Sequence, residues 1–68
     1  MRANRAYELI VTRGASFDHI EVVDIAEGEV ALFWDTLPRQ TGRMARALRT
    51  DLAQLDDREF IEKWNRYQ

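Results

Sequence analysis

The chain has no cysteine, one proline, one histidine and one serine among 68 residues. Without cysteine there are no disulfides and no thiolate metal sites. A lone histidine argues equally against a structural zinc. The three glycines, Gly14, Gly28 and Gly42, share no local context, so no phosphate-cradling glycine loop is present. Ser16 lacks the flanking glycines of a nucleophile elbow. No apolar run approaches the roughly 20 residues needed to span a bilayer. Leu9-Ile10-Val11 is too short for a secretory core, so the expected location is cytoplasmic, with no membrane partner.

What is present is a 46% apolar fraction and a 32% charged one, enough for a core and a wet surface in one small domain, residues 1–68. A domain of this size buries only about 60% of its unfolded surface. With disulfides and zinc excluded, oligomerisation is the remaining means of reinforcement, and a homodimer is expected.

Charge is segregated along the chain. Between Gly14 and Leu37 stand six acids (Asp18, Glu21, Asp24, Glu27, Glu29 and Asp35) and no arginine or lysine. Between Thr36 and Thr50 stand four arginines (Arg39, Arg43, Arg46 and Arg49) and no acid. Arginine outnumbers lysine nine to one, a bias read as genome composition before function.

Period-2 patterning predicts three strands. Ala6 to Arg13 sets Tyr7, Leu9 and Val11 against Glu8, Ile10 and Thr12. Gly14 to Asp18 is a turn, and His19 to Ile25 a second strand whose pattern shifts near Val22-Val23, so that either a bulge sits there or both faces are partly buried. Ala26-Glu27-Gly28-Glu29 closes a hairpin. Val30 to Trp34 is apolar on both sides, with Val30, Leu32 and Trp34 on one and Ala31 and Phe33 on the other. A sheet with one wet face would alternate apolar with polar. The outer face is therefore the expected dimer interface, formed by Ile10, Val23, Ile25, Ala31 and Phe33.

From Leu37 the period becomes 3.6. Leu37, Met44, Leu48, Leu52 and Leu55 fall within roughly 80° of a helical wheel. Asp35 or Thr36 is expected to cap this helix, which starts at Leu37 or, if Gly42 marks the boundary, at Thr41. Asp56 followed by Glu59 has the spacing of a capping box opening a second helix, with Phe60, Ile61, Trp64 and Tyr67 as its apolar stripe. The expected fold is α+β: a three-stranded antiparallel meander followed by two C-terminal helices packed on one sheet face. Trp34 is assigned to the core between sheet and helix, and Trp64 to an interface or the C-terminal rim.

Function is less legible. Asp18 and His19 are adjacent but point to opposite sides of a strand, which makes a poor catalytic dyad. His19 reads as a histidine at a turn edge with a local hydrogen bond. Asp56, Asp57 and Glu59 are explained by a helix N-terminus, where negative charge is favourable. No catalytic, cofactor or metal-binding residues are assigned, and a non-catalytic protein is expected. The binding candidates are Arg39, Arg43, Arg46 and Arg49, three of which share about 60° of the helix opposite its leucine seam. Such a row suits carboxylates of a protein partner or phosphates of nucleic acid. The strand–helix order resembles that of small DNA-binding modules, which present a basic sheet, but this sheet is acidic. A net charge of −2 also ranks protein above nucleic acid as the partner.

Overall fold

The computed structural model describes all 68 residues. The elements run α1 (Ala3–Ala6), β1 (Tyr7–Thr12), β2 (Asp18–Asp24), β3 (Val30–Thr36), α2 (Pro38–Gln54) and α3 (Asp57–Asn65). The strands form one antiparallel sheet in the order β1-β2-β3, as the meander reading requires.

The tight β2–β3 connection explains why the sheet is a meander. The Asp24 carboxylate accepts from the Ala26 and Glu27 amides at 2.9 and 3.1 Å, holding the turn from within. Gly28 follows at φ 71°, a conformation that a side chain would strain. The hairpin then aligns Val22 with Leu32 and Val23 with Val30, so the ladder skips Ala31. That irregularity puts Val30 with Val23, whereas unbroken alternation would group it with Leu32 and Trp34. Val30 is 49% exposed, while Leu32 is buried.

Alternation decides the faces. Ile20, Val22 and Leu32 are buried beneath the helices, with Tyr7, Leu9, Val11 and Trp34 packed around them. Leu48 and Leu52 of α2 and Phe60 and Trp64 of α3 complete the core. On α2 the buried residues Thr41, Ala45, Leu48 and Leu52 follow the three-and-four spacing of a single helical face. Both helices thus cover one side of the sheet. The opposite side exposes Ile10 and Phe33, with Ile25 just beyond the end of β2.

Several local expectations change. Helix α2 starts at Pro38 with Leu37 as its N-cap, and neither Asp35 nor Thr36 caps it. The Leu37 amide donates instead to the Gln40 side chain at 3.2 Å, while Asp35 and Thr36 are occupied elsewhere. Leu55 ends this helix rather than extending its seam. The α3 start is as read: Asp56 accepts from the Arg58 and Glu59 amides at 2.9 and 3.2 Å, and Glu59 accepts from the Asp56 amide at 3.2 Å.

Helix α1 was not expected, and it takes Ala6 from the first predicted strand. Ala3 is fully buried, and its amide donates to Leu55 at 2.9 Å. The Arg2 guanidinium donates to the Gln54 carbonyl at 2.8 Å, and the Asp57 amide to the Met1 carbonyl at 2.9 Å. This short segment therefore closes the corner between α2 and α3. No helix is long and apolar enough to cross a membrane.

Candidate functional site

All four arginines of α2 are exposed, and none takes part in an ion pair or a side-chain hydrogen bond. They do not form one site. Arg39 and Arg43 stand on the wall of a groove of about 690 Å³ between α2 and the end of β3. Arg43 also borders an adjoining groove of about 530 Å³, shared with Arg46 and Lys63. Arg49 lines neither.

Three aromatic residues line the first groove, together with Met44, Ala47 and the polar Asp35, Thr36 and Gln40. Trp34 enters from β3, Trp64 from α3, and Tyr67 from the segment that follows α3. Trp34 and Trp64 meet edge to face with centroids 6.0 Å apart, and Tyr67 lies 5.4 Å from Trp64. Edge-to-face rings place a positive edge against a negative face, so this cluster is geometrically specific as well as apolar.

Hydrogen bonds lock both indoles. The Trp34 Nε1–H donates to the Tyr67 carbonyl at 3.0 Å, drawing the end of the chain against β3. The Trp64 Nε1–H donates to Asp51 on α2 at 2.9 Å, and Lys63 reaches the same carboxylate oxygen at 2.7 Å. Trp64 is consequently a buried residue joining α2 to α3, not the interface or rim residue expected. Trp34 is half-buried and shows part of its ring in the groove. The result is a rigid apolar floor beside two uncommitted guanidiniums.

Beneath the start of α2 lies a buried polar network. Asp18 is 1% exposed; its carboxylate accepts from the Thr41 hydroxyl at 2.6 Å, the Arg13 guanidinium at 2.8 Å and the Gly14 amide at 3.2 Å. Thr36 and Thr41 share a further hydroxyl contact at 2.7 Å. The Thr41 hydrogen bond, then those from Gly14 and Arg13, hold the Asp18 carboxyl below its usual range despite burial. This network ties β2, β3 and α2 together at the end of the sheet where the groove opens.

On the outer face, His19 meets a different carboxylate from the one adjacent in sequence. Its Nδ1 lies 2.6 Å from Asp35, directly across from it on β3, and its ring stacks on Phe33 at 5.6 Å. Thr12 is the cross-strand neighbour on the other side. The row Thr12–His19–Asp35 has the residue types of a nucleophile relay. No hydrogen bond joins Thr12 to His19, however, and neither groove includes any of the three except Asp35. No group of three His, Cys, Asp or Glu side chains is placed to hold a metal ion.

The five outer-face candidates are separated by polar residues. Glu21 sits between Ile10 and Phe33 in the cross-strand register, and Glu8 is opposite Val23. Ala31 is exposed at the skipped position of β3. Comparison with protein-family models, curated proteins and solved structures finds no match to this chain.

Proposed function

We propose that the chain is a small non-catalytic interaction protein whose groove takes an extended acidic segment of another protein. One observation carries this reading: unpaired Arg39 and Arg43 line one open groove with Trp34, Trp64 and Tyr67, and the single carboxylate there, Asp35, is engaged by His19. A guanidinium fork takes a carboxylate bidentately and keeps a flat face for stacking. The aromatic floor supplies apolar area for a neighbouring side chain of the same segment. Ordered indoles and a preformed groove lower the entropy lost on binding.

The same mixture of rings and arginines also suits stacked bases of a single-stranded nucleic acid. Magnitude favours the peptide. Phosphate binding gains by summing many neutralised charges, and this groove presents two arginines on a chain of net charge −2. A peptide needs only one or two carboxylates matched locally, at contact distances well inside the roughly 8 Å over which salt screens the repulsion from the chain's more distant acids.

The test is a titration of isotope-labelled protein, followed by amide and indole N–H resonances. The probes are a peptide of alternating Glu and Leu, its Gln-for-Glu counterpart, and oligo-dT and oligo-U. The proposal expects the acidic peptide to move the Trp34 and Trp64 indole signals, and the Gln peptide to bind at least about tenfold more weakly, a difference of about 1.4 kcal/mol. Tighter binding of either oligonucleotide, lost on Arg39→Gln/Arg43→Gln substitution, overturns it in favour of nucleic acid.

A further inference from the structure

The two edges of the sheet are finished differently. On β3 the Gln68 side chain accepts from the Phe33 amide at 3.3 Å and donates to the Phe33 carbonyl at 3.0 Å, occupying both main-chain groups. The tie from Trp34 to Tyr67 and the skipped residue Ala31 protect the same edge further. Nothing comparable covers β1. The Ile25 amide donates to Ala6 at 3.0 Å, so alternate residues beyond it, Glu8, Ile10 and Thr12, bond toward β2. Tyr7, Leu9 and Val11 turn their main-chain groups outward. The Tyr7 amide is taken by Ala3 within α1, which leaves Leu9 and Val11 without partners on that side. Strand edges are ordinarily blunted by lysine, proline or a bulge, and β1 has none of them.

We infer that two copies of the chain pair antiparallel through β1, forming one continuous sheet across a two-fold axis at Ile10. Self-complementarity and charge select both the occupant and the register. With the axis at Ile10, Leu9 of each copy opposes Val11 of the other, Glu8 opposes Thr12, and the two Ile10 side chains meet on the outer face. Leu9 and Val11 then exchange main-chain hydrogen bonds, and their half-buried side chains lose their remaining exposure. Moving the axis to Glu8 sets two carboxylates directly opposite, which is destabilising. Moving it to Leu9 sets Val11 against Tyr7, whose amide is already taken by Ala3, and leaves the Val11 carbonyl without a donor.

Stacking the outer faces is the competing arrangement, and its chemistry is worse. Glu21 stands between Ile10 and Phe33, with Glu8 and Asp35 on the same face. Face-to-face packing would bury Glu8 and Glu21, which have no ion-pair partner, without compensating cations. Edge pairing leaves them in water. It also leaves the grooves open, because the first is lined from β3, at the far edge from β1, and neither includes a residue of β1.

The experiment combines sedimentation of the full chain over a range of concentrations with amide hydrogen exchange. Edge pairing expects a concentration-dependent dimer in which the Leu9 and Val11 amides become protected as the dimer fills. The chain's lack of cysteine makes single-cysteine variants clean reporters. Opposed Ile10 side chains place their Cβ atoms about 4.5–5.5 Å apart, near disulfide range, so oxidised Ile10→Cys runs as a crosslinked dimer and Phe33→Cys does not. Ile10→Lys sets two ammonium groups on the axis and raises the dimer dissociation constant at least about tenfold. Exchange on the unsubstituted chain decides the matter if that variant fails to fold. A monomer at every concentration, unprotected Leu9 and Val11 amides in a dimer, or preferential crosslinking through Phe33→Cys overturns the inference.

Discussion

Thr41 on α2 donates its hydroxyl hydrogen to the buried carboxylate of Asp18 on β2 across 2.6 Å. Asp18 begins the central strand and Thr41 lies in the first turns of the long helix, so this bond sets where the helix meets the sheet. It also makes stability depend on pH. The folded-state pKa of Asp18 lies below its unfolded value, so the folded protein holds the charged form more strongly. The contribution is fully present above the unfolded pKa of about 3.9 and is lost as pH falls through the folded one. Thermal melts should show a falling midpoint on acidification below about pH 5. Asp18→Asn should lower the midpoint at pH 7 and flatten this acid limb. An acid limb as steep in Asp18→Asn as in the unsubstituted chain would assign the effect to other carboxylates.

Asp56 acts with the same sign. Hydrogen bonds from the Glu59 and Arg58 amides lower its pKa, the Glu59 bond contributing most. Asp56→Ala removes the carboxylate oxygen that accepts both bonds at the start of α3 and frees the turn that positions buried Phe60. The melting temperature at pH 7 should fall by roughly 4–8 °C. Asp56→Asn, which retains an oxygen acceptor, should recover most of the loss. Circular dichroism melts of the two variants provide the comparison.

The fold was legible where local rules agree, and the site was not. Alternation in Tyr7–Thr12 and Asp18–Asp24 identified the inner face, and Asp56 with Glu59 marked the helix start, because each signal spans only a few residues. Helix α1 escaped because four residues carry no periodic signal, and its stability comes from Leu55 and Asp57, some fifty residues away. The hydrogen bond of His19 is not the local one expected, for a similar reason. Asp18 is next in sequence, but Asp35 is next across the ladder, and register depends on the length of the hairpin. The arginine row was visible on a helical wheel. Its aromatic floor was not, since Trp34, Trp64 and Tyr67 come together only when the end of the chain folds back onto β3.

Two glycines should respond oppositely to alanine. Gly42 lies on the exposed side of α2 with nothing near the position a Cβ would take. Gly42→Ala should stabilise by about 1 kcal/mol, because alanine is the better helix former and restricts the unfolded chain. At Gly14 a Cβ would run into the carbonyl oxygen of Phe17 and disturb the amide that donates to Asp18. Gly14→Ala should cost on the order of 1–3 kcal/mol. Chemical denaturation of both variants tests the pair, and equal effects would contradict the local geometry.

Binding and stability should separate at the groove. Arg39 and Arg43 are exposed and unpaired, so Arg39→Gln/Arg43→Gln should change folding stability by no more than about 0.5 kcal/mol per site. The same pair should weaken the acidic peptide, with the loss largest at low salt and smaller once screening has removed part of the attraction. Arg49→Gln serves as the control, since Arg49 carries an identical charge on the same helix but lines neither groove. A long-range field acts on net charge and would register all three substitutions alike. A groove that grips a carboxylate registers position instead: affinity should fall at least about tenfold for the Arg39/Arg43 pair and stay within about twofold for Arg49→Gln. Tyr67→Ala gives an independent check. The residue is 61% exposed and its tie to Trp34 runs through the main-chain carbonyl, so the variant should keep the fold while losing apolar contact with the ligand. Calorimetric titrations at two salt concentrations measure all of these effects, and equal losses at Arg49 and at the Arg39/Arg43 pair would show that the groove is not the binding site.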